Sequence, residues 1–134
     1  MIEEMTTPGA GQIKAFVTSA GNPVLSTPDG QSLDKALAAL DFMVSVDIYI
    51  NETTKHANTI YAPTRGLDTS NYDVSSQTLA VRITAKFPEA CFEKAPEQRH
   101  DYEIFQELAC RLRHGDYQPL AEKPEQMVDF ALQM

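Results

Sequence analysis

Two short apolar runs, IKAFVT at 13–18 and FMVSV at 42–46, flank a stretch from residue 32 in which Leu33, Ala36, Leu37 and Leu40 recur at helical spacing. The runs have the length and residue types of buried strands. The spacing between them puts one apolar face on a helix. Ser19-Ala20-Gly21-Asn22-Pro23 and Thr27-Pro28-Asp29-Gly30 supply turn chemistry before that helix. Strand, helix, strand in this order predicts a βαβ unit with parallel strands, whose carboxyl ends converge on Gly21 and Asp47. Ligands of such units sit beyond the carboxyl ends, where backbone amides and short polar side chains are free. The pattern therefore points to a nucleotide-like ligand site.

Polarity rises sharply at Asp47, and residues 47–58 read as a loop with a short helical turn around 53–57. Thr59-Ile60-Tyr61 reads as a third short strand, stopped by Pro63. Connections this short demand a compact parallel arrangement. Farther on, 65–76 is polar and predicts an extended loop. Residues 78–87 (TLAVRITAKF) alternate, with Leu79, Val81, Ile83 and Ala85 on one face, and predict a further strand. After an irregular connection at 88–97, Ile104, Phe105, Leu108 and Leu112 form the stripe of a helix over 100–114, which Gly115 can end. Pro124 suits the first turn of a final short helix carrying Met127, Val128 and Ala131, so 116–134 reads as a terminal helix leading to a next domain. The near-continuous apolar character of 42–46 fits a sheet with helices on both faces. The expected architecture is one α/β domain over 1–134, three-layered and Rossmann-like or flavodoxin-like, with a short, mostly parallel sheet.

Composition narrows the function classes. The 134 residues are 43% hydrophobic and 22% charged, as in a globular domain with a real core. A net charge of −8 disfavours binding to a nucleic-acid backbone, which needs clustered Lys and Arg. No run approaches the ~20 apolar residues that span a bilayer. MIEEMTTPGAGQ lacks the basic and apolar regions of a signal peptide, so the expected location is cytoplasmic. Cys91 and Cys110 are too few for a four-thiolate site and read as reduced thiols. No Gly-x-Ser-x-Gly elbow supports a hydrolase. The sequence names no catalytic residue and no metal ligand.

Four ordered blocks go further: Ala20-Gly21-Asn22-Pro23, Val46-Asp47-Ile48-Tyr49, Asn51-Glu52-Thr53-Thr54 and His56-Ala57-Asn58-Thr59-Ile60-Tyr61-Ala62-Pro63. Leu79-Ala80-Val81-Arg82, Phe92-Glu93 and Arg99-His100-Asp101-Tyr102-Glu103-Ile104 follow downstream. This set resembles the third, α/β domain of the molybdopterin-guanine-dinucleotide oxidoreductases, the family of formate dehydrogenases, nitrate reductases and dimethyl sulfoxide reductase. The resemblance runs over 11–113 and is nearest to formate-dehydrogenase-like members. It departs at Asn58, where the family carries Asp, and at Tyr61, where it carries Leu; both positions suit packing or loop anchoring. The resemblance implies binding of molybdopterin guanine dinucleotide, with the molybdenum ligand supplied by another domain. It also implies that the chain is one domain of a larger molybdoenzyme subunit, with no turnover alone. The other domains would be its partners, and the face that docks them would be exposed and prone to self-association.

The cofactor-binding residues implied are Gly21, Asn22, Pro23, Ser26, Asp47, Glu52 and Thr53. Gly21 permits close backbone approach and Asn22 offers amide bonds, although Gly, Asn and Pro also make a plain turn. Ser26 and Thr27 either cap the following helix or donate to a phosphate or ribose oxygen. A carboxylate at the position of Asp47 can accept from guanine N1–H and the N2 amine together, a pair that adenine lacks; the alternative is a turn or cap Asp. Glu52 and Thr53 lie in the loop that closes over the same ligand, and Thr53 and Thr54 equally suit capping. His56 reads as structural, His100-Asp101 as a helix cap and Arg82 as a surface residue. The competing reading is a standalone nucleotide-binding or partner-docking module without catalytic activity.

Overall fold

Three strands, β1 (Ala15–Ser19), β2 (Phe42–Val46) and β3 (Thr59–Tyr61), pair in the order β1-β2-β3 and are all parallel. The computed structural model describes residues 1–71, 79–82, 84 and 86–114, which fall into two units, Met1–Arg99 and His100–Met134. The first unit is the mixed α/β fold read from the sequence: a short parallel sheet with flanking helices.

Between β1 and β2 the chain forms two helices rather than one. Pro23 opens the single turn of α2 (Pro23–Ser26), where its fixed φ and missing N–H fit the first helical position. α3 (Gly30–Ala38) follows, and its cap is Asp29, whose carboxyl accepts from the Ser32 N–H at 3.1 Å. The cap expected from Ser26 or Thr27 is thus displaced, because the chain spends those residues closing α2. Gly30 is obligatory for this tight succession, since a Cβ there would fall on the Val24 carbonyl oxygen.

Leu33, Ala36 and Leu37 of α3 are buried with Met43 of β2 and with Met5 of an N-terminal helix, α1 (Ile2–Thr6). α1 was not legible in the sequence, because one turn carries no period. Its place comes from the buried Met5, the Ile13 N–H bond to Glu4 O at 2.8 Å and the Gln12 amide bond to Met5 O at 2.9 Å. Strand alternation puts Phe16, Thr18, Met43 and Ser45 on one sheet face, and Phe16 and Met43 pack into this core. Thr18 and Ser45, both buried, satisfy each other through a 2.8 Å hydroxyl bond between opposed positions. On the other face Val17, Phe42 and Tyr61 stay about half exposed.

Asn58 anchors the start of β3: its side chain accepts from the Met43 N–H at 2.7 Å and its N–H donates to Met43 O at 2.8 Å. Within the polar stretch after β3, Arg65 and Asp68 close a 3₁₀ turn (Gly66–Asp68), the buried Asp68 carboxyl accepting both Nε at 2.9 Å and Nη2 at 3.1 Å. The strand expected over 78–87 does not form among the described residues there. Leu79 is 87% exposed and Val81 wholly so. Alternation alone makes no strand, because the backbone groups also need a partner edge. Thr78, Ile83 and Ala85 lie outside the described residues.

The second unit contributes α4 (Asp101–His114), as the apolar stripe predicted. The cap comes from Glu103, whose carboxyl accepts from the His100 N–H at 2.6 Å, while Asp101 accepts from the Tyr102 N–H at 2.7 Å. Cys110 is buried and Cys91, in the first unit, is exposed; both are free thiols. The terminal helix expected over 116–134 lies outside the described residues. Among the described residues no helix is long and apolar enough to cross a membrane.

Candidate functional site

The polar loop from Asp47 to His56 sits at the carboxyl end of the sheet, where β1 and β2 finish level with each other at Ser19 and Val46. Asn51 is its hub. Its side-chain carbonyl accepts from the N–H groups of both Thr53 and Thr54 at 2.9 Å, and its amide donates to Asp47 Oδ2 at 3.4 Å. Its own N–H donates to Thr54 Oγ1 at 2.8 Å, and that hydroxyl donates onward to Tyr49 O at 3.1 Å. Thr53 and Thr54 are completely buried. These bonds hold the loop shut around the 3₁₀ turn Thr54–His56.

Two long-range ties fix the loop to the rest of the unit. Thr53 Oγ1 donates to Asn22 Oδ1 at 2.7 Å and accepts from the Val24 N–H at 3.1 Å, while Asn22 Nδ2 donates to Glu52 Oε2 at 2.6 Å. The Asn22 amide holds the Glu52 carboxyl below the usual carboxylate range, helped by the Glu52 backbone N–H and the charge of Lys55. At the other end, Asp34 of α3 takes both Lys55 Nζ and His56 Nε2 at 2.8 Å. The Lys55 bond first, then the His56 bond, lowers the Asp34 carboxyl. His56 is thereby structural, its ring bonded to Asp34 alone among the described residues.

Asp47 is buried, and its Oδ1 accepts from the Tyr49 N–H at 2.9 Å. A carboxylate offers about four acceptor positions, so the two internal bonds leave capacity for a donor-bearing ligand. Gly21 and Ile48, at the ends of the two strands, make no backbone hydrogen bond through their N–H groups among the described residues. A Cβ at Gly21 would meet only ordinary contacts, Ser19 O at 3.5 Å and Pro23 Cδ at 3.9 Å, so the protein's own packing does not demand glycine there. The left-handed backbone of the turn falls on Ala20 instead, with φ at 48°.

Of the residues singled out from sequence, the structure joins Asn22, Glu52 and Thr53 in one network and brings Asp47 into it through Asn51. Gly21 and Pro23 flank Asn22. Ser26 stands apart, exposed at the end of α2. Sequence reading passed over Asn51 as a functional residue, although an Asx side chain two and three positions before the amides of a turn is a recognisable turn signal. It also passed over Asp34, whose partners lie on another element. A groove of about 460 Å³ adjoins Glu52 and is lined also by Val24, Leu25, Gly30, Asp34 and Lys55. Acceptors dominate the Asp47–Glu52 loop, which suits a ligand rich in N–H and O–H groups better than a bare phosphate. Among the described residues no three His, Cys, Asp or Glu side chains group as a metal site.

Fold and loop together define a parallel α/β protein with a polar cradle at the carboxyl end of its sheet. No family model matches the chain. It is 34% identical over 110 residues to the assimilatory nitrate reductase catalytic subunit of Bacillus subtilis, a match that takes in 80% of this chain and 14% of that protein. It is 30% identical over 115 residues to the F420-dependent formate dehydrogenase subunit alpha of Methanocaldococcus jannaschii, covering 86% of this chain and 16% of the relative. The similarity to the molybdopterin oxidoreductase family is thus distant and partial, and the chain spans about one-seventh of the length of these relatives.

Proposed function

We propose that this chain holds the guanine end of a molybdopterin guanine dinucleotide within a formate-dehydrogenase-like molybdenum oxidoreductase. The observation that carries the reading is the Asp47 carboxyl at the end of β2, oriented by Tyr49 and Asn51 and left with spare acceptor capacity. The residues present fit such a group. Asp47 would take the base, Glu52 a ribose hydroxyl, and the N–H groups of Gly21 and Ile48 further acceptors of the ligand. Asn22 and Thr53 brace these groups rather than reach outward, since each already spends its side chain on the other. When bound in the complete enzyme, the cofactor's molybdenum supplies the oxygen-atom, hydride or electron chemistry; the protein supplies binding and orientation. The rest of the cradle and the metal ligand come from further domains, so this chain alone turns nothing over.

Calorimetric titration of GDP and ADP into the wild-type chain and Asp47→Asn tests this. GDP binds more tightly than ADP, and Asp47→Asn loses roughly tenfold or more of the GDP affinity, as loss of charge-assisted bonds worth about 1.5–3 kcal/mol requires. Asn keeps an acceptor for the Tyr49 N–H, and an unchanged melting temperature separates the binding loss from a folding loss. Equal affinities for GDP and ADP, unaltered by Asp47→Asn, would instead favour a standalone nucleotide-binding module without base selection, and binding of neither nucleotide a partner-docking module.

A further inference from the structure

Tyr49 is held by its backbone on both sides and released at its ring. Its N–H donates to Asp47 Oδ1 at 2.9 Å and its carbonyl accepts from the buried Thr54 hydroxyl at 3.1 Å, yet the residue is 70% exposed. Ile48 and Ile50 beside it are also exposed. Leaving three consecutive large apolar side chains in water contributes nothing to folding. An aromatic ring on an anchored backbone loses only two side-chain torsions when something settles on it, which makes it a low-cost contact surface. The anchor is the same carboxyl that the proposed function assigns to the edge of the base. Edge and face of a base are read by different groups: acceptors take the N–H edge, and an aromatic ring takes the π face.

We propose that Tyr49 is the stacking platform for the purine whose edge Asp47 reads, a specificity-determining residue that favours purine over pyrimidine nucleotides through contact area. This rests on the guanine reading of the site. Tyr61 is its natural control. It too is an exposed tyrosine whose backbone meets Asp47, accepting the Asp47 N–H at 3.1 Å. It is opposed to Val46 in the sheet register, so its side chain leaves on the face opposite that of Ser45.

The chain contains no tryptophan, so Tyr49→Trp installs a single reporter at the platform. Its emission is followed while GDP, IDP and CDP are titrated, and affinities of wild type, Tyr49→Phe, Tyr49→Leu, Tyr61→Leu and Asp47→Asn are measured by calorimetry. Saturable quenching of Tyr49→Trp by GDP is expected, with Tyr49→Phe close to wild type. Tyr49→Leu loses about five- to a hundredfold for GDP and IDP alike, and Tyr61→Leu changes neither. Asp47→Asn penalises GDP more than IDP, which lacks the N2 amine. Full GDP affinity in Tyr49→Leu, with the Asp47→Asn loss intact, overturns the platform and leaves the guanine reading standing. Equal losses in Tyr49→Leu and Tyr61→Leu overturn it as well. Absence of GDP binding to the wild type overturns both.

Discussion

The Thr53 hydroxyl serves three elements at once. It donates to Asn22, accepts from the first amides of α2 through Val24, and sits in the loop that Asn51 closes, all at zero exposure. Replacement by the isosteric Val keeps the volume and removes both bonds, leaving the part-buried Val24 N–H and Asn22 Oδ1 without these partners. The expected cost is roughly 1–3 kcal/mol, because the desolvation penalty of orphaned groups exceeds the modest net worth of the bonds. Urea denaturation measures it; Thr53→Ser, which retains the hydroxyl, should recover most of it. Thr53 was a candidate ligand contact on sequence grounds, and in the structure its side chain is committed to the protein. The distinction was invisible beforehand because Asn22 lies 31 residues away.

At the scale of elements, the joint between α2 and α3 sets two opposing effects against each other. Helix propensity alone favours Gly30→Ala by at most about 1 kcal/mol, the helix-interior value, since Gly30 is the first residue of α3. The new methyl would collide with the Val24 carbonyl, a backbone atom that moves only if α2 moves. Overpacking of this kind costs roughly 1–3 kcal/mol, and here backbone rather than a flexible side chain must yield, so the clash wins. Gly30→Ala should therefore lower the urea midpoint, while Gly66→Ala, where a Cβ meets nothing within 4 Å, stays near wild type. β1, β2, β3 and α3 were readable because each is local: a run of strand formers or a 3.6-residue stripe. The described residues of 78–87 form no strand, and their alternation misled for the same reason. That alternation is a property of ten residues, whereas forming a strand depends on an edge that those residues do not supply.

At the scale of the molecule, three surface carboxyls of the first unit have pKa values depressed by their partners. Asp29 is lowered by Ser32, Asp34 by Lys55 and His56, and Glu52 by Asn22. A group depressed on folding adds stability above its unfolded-state pKa and loses that contribution as pH falls through its folded value. Stability should accordingly be flat near neutrality and decline below roughly pH 4, the ordinary carboxylate range. Urea midpoints between pH 3 and 7 test this, and Asp34→Asn should flatten the acid limb. These groups are solvent-exposed, so the effect should shrink in high salt. The sequence by itself determined the parallel α/β unit, the polar loop at its carboxyl end and the partial likeness to molybdopterin oxidoreductases, since periodicity, turn chemistry and residue order are all written along the chain. Only the tertiary structure decided which polar side chains are consumed by one another across the chain, as Asn22 and Thr53 are, and that the ring of Tyr49 is left facing water. Hydrogen-bond partners and exposure depend on residues brought together from distant positions, and no local pattern encodes them.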